Sequence, residues 1–267
     1  MNIGFLITCR LKSTRLPRKV LLPLNGYTVI DRVIQRAKQV VETEKVVLCT
    51  SVSHQDVPLI ENAVRNNIYY FNGHPDDVLQ RLLDAAELFG FDYFIGITAD
   101  NPLFSIHHAN LIKEMLVDDP SLDYVFTTGM PIGINIYGVN VKALKTVCAV
   151  KKQIDTEIWG PLINRPEIFN VRELSAKKEY VQKNYRLTLD EEDDYKVIKA
   201  IYDNFGRNEI VNVIKVYEFL SMNPSVAKIN KNVVQKSLDE FKLLNIDNYY
   251  SKEKSSILNT KSRIYKD

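Results

Sequence analysis

At 267 residues, 45% of them hydrophobic and 25% charged, the chain is long enough to bury one sizeable core, and no repeat marks a second copy. Thirty-five basic against 33 acidic residues leave a net charge of +2, so no global field favours nucleic acid, and no apolar run approaches the roughly 20 residues of a membrane span. Three cysteines (Cys9, Cys49, Cys148) show neither disulfide pairing nor zinc spacing, and with no signal pattern at Met1-Asn2-Ile3-Gly4 a cytoplasmic protein is expected.

The apolar run Ile3–Thr8 predicts a buried strand. It empties into a loop holding Arg10, Lys12, Arg15, Arg18 and Lys19 with no acid among them, a cation density that suits a polyanion such as a triphosphate. Leu16-Pro17 stiffens the loop and Leu21-Leu22 returns it to the core. From Val29 to Val41 the spacing of Ile30, Val33, Ile34, Ala37 and Val41 predicts a helix with Arg32, Arg36 and Lys38 outside. Strands are expected at Lys45–Thr50 and Ile68–Phe71, then a helix from Val78 to Phe89 capped by Asp76 or Asp77 and carrying Arg81 in its first turn.

The strand Phe94–Thr98 ends in Ala99-Asp100-Asn101-Pro102, which puts a carboxylate in a turn stopped by proline. A helix including Leu111–Leu116 and a strand Tyr124–Thr127 follow. Arg186-Leu187-Thr188-Leu189 reads as another strand, ending at Asp190 and a run of acids that favours the N-terminus of the helix at Tyr195–Tyr202. Further helices are expected at Val211–Leu220 and Val233–Leu244, separated at Asn223-Pro224. Residues 1–244 form one domain in this reading and 245–267 a polar, mobile tail. Strands alternating with helices give an α/β fold, a parallel sheet covered on both faces with ligands at the carboxyl ends of its strands. The sole tryptophan, Trp159, suits packing or a dimer contact more than a stacking platform.

Arg10-x-x-Ser13-x-Arg15-Leu16-Pro17-x-Lys19-x-Leu21 resembles the nucleotide-binding signature of the sugar cytidylyltransferases that activate 3-deoxy-manno-octulosonate and acylneuraminate, with the SpsF-type spore coat polysaccharide proteins as the nearest branch. The match extends to about Leu244. It implies the nucleotide-diphospho-sugar transferase (Rossmann-like) fold, a mixed, mostly parallel sheet with helices on both faces. It also implies transfer of CMP from CTP to a sugar acid or related surface-glycan precursor, with release of pyrophosphate. Arg10, Arg15 and Lys19 would act on the phosphates. Thr8, Ser13, Arg81 and Asp100 would complete nucleotide binding. Arg81, Asn101 and Asn135 would meet the acceptor, Asp100 and Asp190 would hold Mg²⁺, and the protein would be a homodimer.

Two departures stand out. That branch carries glycine where this chain has Lys12 and Arg18, so side chains take over contacts that backbone N–H groups make there, or the loop geometry differs. It also carries acids where this chain has Ile132, Asn135 and Tyr137, which predicts a less charged acceptor pocket. Two other functions remain open. A glycosyltransferase of similar fold would show Asp-x-Asp where Asp100-Asn101 offers one carboxylate. A catalytically weak binding homologue would fit the lost glycines and acids.

Overall fold

A computed structural model describes residues 1–182 and 184–266. Its strands are β1 (Ile3–Thr8), β2 (Pro23–Leu24), β3 (Tyr27–Thr28), β4 (Val46–Ser51), β5 (Tyr69–Gly73), β6 (Tyr93–Thr98), β7 (Tyr124–Thr128), β8 (Tyr137–Asn140) and β9 (Val171–Ser175). Seven of them form one sheet in the order β5-β4-β1-β6-β8-β7-β9, with β2 and β3 a separate ribbon. Only β8 runs against its neighbours, so the sheet is mixed and mostly parallel. The alternating pattern implies the α/β sheet, and the resemblance implies this narrower nucleotide-diphospho-sugar transferase-like arrangement. The strand order reverses between β1 and β6, which places a crevice at their carboxyl ends.

The helices are α1 (Val29–Ala37), α2 (Val57–Arg65), α3 (Val78–Leu88), α4 (Ile106–Asp118), α5 (Val141–Val150), α6 (Gly160–Ile163), α7 (Glu192–Asn204), α8 (Val213–Met222), α9 (Pro224–Ala227), α10 (Glu240–Lys252) and α11 (Lys254–Lys266). None of them is long and apolar enough to cross a membrane. Alternate strand residues feed two cores: Phe5, Ile7, Leu48 and Ile95 pack against α1, α2 and α4, whereas Leu6, Val47 and Phe94 pack against α3 and α5. Local chemistry starts these helices. Thr28 and Asp31 form a capping box at α1, and the Asp77 carboxylate accepts the Gln80 N–H at 3.1 Å to open α3.

Four expectations change. Arg32 and Arg36, read as outward-facing, are each only 2% exposed. Arg32 donates to the carbonyls of Leu24, Asn25 and Arg207 and lies over the rings of Tyr27 and Tyr202, 4.7 Å from each. Arg36 donates to Phe104 O and Val211 O. Both guanidinium groups bind backbone carbonyls, most of them in irregular segments, so polarity alone misplaces them.

Arg186–Leu189 makes a single bridge with Ile132 rather than a strand, because Leu187 and Leu189 sink into a third core with α7 and α8. Residues 233–239 run without regular structure, and the helix expected at Val233–Leu244 begins only at Glu240. The stretch 245–267 is no mobile tail. Apart from Asp267, outside the described residues, it lies in α10, α11 and the single residue joining them, burying Ile246, Tyr250, Ile257 and Ile264. The Tyr250 hydroxyl donates to Leu162 O at 2.9 Å, and Lys261 Nζ reaches the buried Asp123 carboxylate at 2.6 Å.

Replacing Arg36 with alanine strands the carbonyls of Phe104 and Val211 in the core. The expected loss is about 3 kcal/mol of unfolding free energy, read from urea denaturation. A loss below about 1 kcal/mol would show that the clamp is not structural.

Candidate active site

The carboxyl end of β1 opens into a cleft of ≈ 340 Å³ bounded by the basic loop, the tips of β1 and β6, the start of α3 and the segment after α5. The loop is tied to the sheet by a buried carboxylate. Asp56, fully buried, accepts Leu11 N–H at 2.8 Å and the Ser51 hydroxyl at 2.5 Å. Ser13 stays local, its hydroxyl accepting Leu16 N–H at 3.4 Å. Arg18 then adopts φ 53°, a left-handed conformation, immediately before a short 3-10 turn that carries Lys19 inward. A left-handed residue is the conformation glycine adopts without cost, and here arginine carries the strain.

Lys19 occupies the centre of the site. Its ammonium donates to Asp100 Oδ2 at 2.7 Å and Asp190 Oδ1 at 2.9 Å. Arg15 Nη2 lies 3.0 Å from the same Asp190 oxygen, and Arg15 Nη1 donates to Glu191 at 3.3 Å. Two aspartates 90 residues apart in sequence thus meet across one cation. Leu189 N–H donates to Asp100 O at 2.8 Å, which ties the two turns together through the backbone. The Asp100 carboxylate is held by the Thr98 hydroxyl at 2.6 Å and by Asn101 Nδ2 at 3.2 Å.

Asp190 is positioned by residues the sequence reading passed over. Its Oδ2 accepts Arg186 Nη2 at 2.8 Å. Asp194, fully buried at the start of α7, accepts the N–H groups of Asp190 and Glu191, Arg186 Nε at 2.9 Å and Asn230 Nδ2 at 2.8 Å. One acid of the 190–194 run is therefore a bracket for another, beyond the helix-terminus role that all of them share. Gly133 lets this segment close, since at φ 98° a Cβ there would stand 2.2 Å from the Leu187 carbonyl carbon.

Burial alone would lower the pKa of Lys19, but the charges and hydrogen bonds of Asp100 and Asp190 outweigh it and hold the ammonium above the ordinary lysine value. Burial likewise pushes Asp190 up. Lys19 first, then Arg15 and Arg186, overcome that and hold its carboxyl below the usual range.

On the α3 side of the cleft, Arg10 Nη1 donates to Pro75 O and to Asp76 Oδ1, the latter at 3.1 Å, and Lys12 joins Asp76 at 3.0 Å. Arg81, fully buried, borders the cleft beside Val78 and Trp159. Burial and then the neighbouring Arg10 charge push its guanidinium down from the ordinary arginine value. Thr8 also lines the cleft, and its hydroxyl is buried without a partner.

Thr8, Arg10, Ser13, Arg15, Lys19, Arg81, Asp100 and Asp190 are thus gathered in one cleft, whereas Asn101 and Asn135 do not line it. Asn101 orders Asp100 and Thr98. Asn135 is turned onto its own loop, donating to Met130 O and Pro131 O and accepting from Thr127. Ile132 and Tyr137 are likewise away from the cleft lining, Tyr137 packing edge-on against Trp159 at 5.0 Å. These positions do not line this cleft, whose acidic residues, besides Asp76, Asp100 and Asp190, are Asp155 and Glu157.

The donor set suits a hard divalent cation. Two carboxylates converge on one point, where an ammonium supplies the positive charge, and their oxygens are the hard ligands that a divalent ion such as Mg²⁺ would take. Among the described residues no group of three or more acidic, histidine or cysteine side chains offers a rival metal site.

Two outcomes follow from this geometry. Arg18→Gly is expected to leave stability unchanged or slightly raised, whereas Arg18→Val, β-branched at a left-handed residue, costs about 1–2 kcal/mol in urea denaturation. The pKa directions set a pH window. Asp190, depressed on folding, contributes stability that is full above about pH 4, its unfolded value, and fades as pH falls through the lower folded one. Lys19, raised on folding, contributes fully below about pH 10.4 and fades as pH climbs through its folded value. Unfolding free energy should therefore fall on acidification below about pH 4, and less steeply in Asp190→Asn; equal acid slopes would deny the carboxylate this role.

A family model described as cytidylyltransferase matches residues 5–256 of the chain. The spore coat polysaccharide biosynthesis protein SpsF of Bacillus subtilis is 29% identical over 85% of this chain and 97% of its own length. A cytidylyltransferase from Leptospira borgpetersenii superposes with a TM-score of 0.79 at 25% identity, covering 89% of this chain and all of that one. A CMP:2-keto-3-deoxy-manno-octonic acid synthetase complexed with CTP superposes with a TM-score of 0.60 at 16% identity, covering 76% and 99%, and so shares the fold.

Proposed function

The chain belongs to the cytidylyltransferase family, and from that premise we propose that it transfers CMP from CTP, with Mg²⁺, to a sugar acid or related precursor of a surface glycan. The observation that carries this reading is the meeting of Lys19 with Asp100 and Asp190 beside Arg15. The SpsF relative, named for polysaccharide biosynthesis, supports the acceptor class. A cytoplasmic homodimer belongs to the same reading. A glycosyltransferase has less support, since Asn101, where a second carboxylate would stand, donates to Asp100 instead of offering another acidic ligand.

An acceptor oxygen attacks the α-phosphorus of the triphosphate and pyrophosphate departs. Negative charge grows on the non-bridging and leaving oxygens, so the reaction needs placed cations more than a covalent nucleophile. Lys19 and Arg15 stand at the centre of the cleft, and Arg10 and Lys12 along its α3 side. Phosphate oxygens would share the Lys19 ammonium with its carboxylates, and Asp100 and Asp190 would hold the metal. A divalent ion held there would supply charge neutralisation at the phosphates and lower the pKa of the attacking hydroxyl. Arg186 and Asp194 hold Asp190 in place.

Removing one such cation should take away about 2 to 4 kcal/mol of transition-state stabilisation. Lys19→Ala is expected to lower turnover about a hundredfold or more, with circular dichroism unchanged, in an assay of pyrophosphate release from CTP across a panel of sugar-acid acceptors. Near-normal turnover in that variant would remove Lys19 from the chemistry.

A further inference from the structure

The segment joining α5 to α6 brings Asp155, Glu157 and Trp159 to the cleft. Between Val150 and Trp159 only Thr156 is buried, while Ile154, Asp155 and Glu157 are exposed. The start of α3 fixes it at that point. The Thr156 hydroxyl donates to Asp77 Oδ1 at 3.0 Å and accepts Leu79 N–H at 3.0 Å, and Thr156 N–H donates to Asp76 O at 3.3 Å. Lys151 Nζ pairs with Asp77 Oδ2, both side chains being more than nine-tenths buried, and donates to Gln153 O at 3.2 Å.

Helix α3 is therefore capped twice. Asp77 takes the Gln80 N–H locally, and a hydroxyl 77 residues further along takes the Leu79 N–H. The second cap orders the segment that brings it, against that segment's conformational entropy. Asp76 and Asp77 stand back to back. Asp76 engages Arg10 and Lys12 of the basic loop, Asp77 engages Lys151 and Thr156, and His74 Nδ1 accepts the N–H groups of both at 3.1 and 2.8 Å. One two-residue turn thus sets the spacing of two cleft walls.

The two walls differ in charge. The basic loop offers Arg10, Lys12, Arg15 and Lys19 to phosphates, whereas the segment after α5 offers Asp155 and Glu157, with Lys236 3.4 Å from Glu157. Two carboxylates repel a triphosphate, so this wall is left to the acceptor. We propose that Asp77, Lys151 and Thr156 form a clasp that positions the acceptor-side wall against the triphosphate loop, so that acceptor binding depends on the clasp far more than nucleotide binding does. The inference rests on the nucleotide-transfer reading above and adds to it the residues that set the acceptor's place.

Trp159, the sole tryptophan, reports on that wall without any substrate. Acrylamide quenching of the full-length protein should rise about twofold or more in Lys151→Met and in Thr156→Val, which keeps the shape and loses the hydrogen bonds, and stay at the wild-type value in Thr156→Ser. Pyrophosphate release from CTP, with 3-deoxy-manno-octulosonate as the acceptor probe, supplies the second arm. Thr156→Val should raise the KM for the acceptor about 10-fold while the KM for CTP stays within about twofold, and Thr156→Ser should restore the wild-type value. Unchanged quenching in both Thr156→Val and Lys151→Met would overturn the clasp. So would equal rises in the two KM values, the mark of a general loss of the α3 start. A wild-type protein that releases no pyrophosphate would overturn the transfer reading, and the quenching result would then decide the clasp by itself.

Discussion

One ammonium between two carboxylates organises this molecule. Asp100 and Asp190 come from turns far apart in sequence, and a cation between them offsets the repulsion of their carboxylates. Lys19 supplies that cation and is buried enough for the attraction to be weakly screened. Its partners are in turn held: Asp100 by Thr98 and Asn101, Asp190 by Arg15, Arg186 and, through the backbone, Asp194. The result is a preorganised cluster in which every charge has a fixed neighbour, which is what catalysis by placed charge requires.

The packing explains how such distant pieces hold register. Asp190 rides on a segment that belongs to the third core with α7 and α8, outside the main sheet. Arg32 and Arg36 fasten that core to α1 by donating into its irregular backbone, and Leu189 N–H closes the last gap to Asp100. Buried arginines are used here as multi-pronged backbone ligands rather than as ion-pair members, a role that needs five donors in a plane and that lysine could not fill.

Much of this was legible in the amino-acid order, and the exceptions have physical causes. The strand Ile3–Thr8 and the loop behind it stand out because apolar and cationic residues are sharply segregated; Asp100 and Asp190 follow because each ends an apolar run. Arg32 and Arg36 were misplaced because amphipathic patterning assumes a charge seeks water, whereas here unpaired carbonyls seek the charge. Strands β8 and β9 escaped notice because they are short and lie among glycine, proline and mixed residues. Asp194 was hidden inside a run where every residue is acidic and only burial separates the bracket from the solvated ones. The final helices were masked by lysine and serine, although Ile246, Tyr250, Ile257 and Ile264 recur on one face. Arg81 could be named by position, but nothing in the order of residues shows that its Nε and Nη2 would be buried without a partner.

Those final helices carry a consequence for how the chain reaches its native state. Tyr250 and Ile257 pack into the core on the α5 side of the sheet, and Lys261 engages Asp123, buried just before β7. That hydrophobic face therefore cannot be sealed before α10 and α11 have been synthesised. Until then a nascent molecule exposes it, a natural substrate for chaperone capture during synthesis.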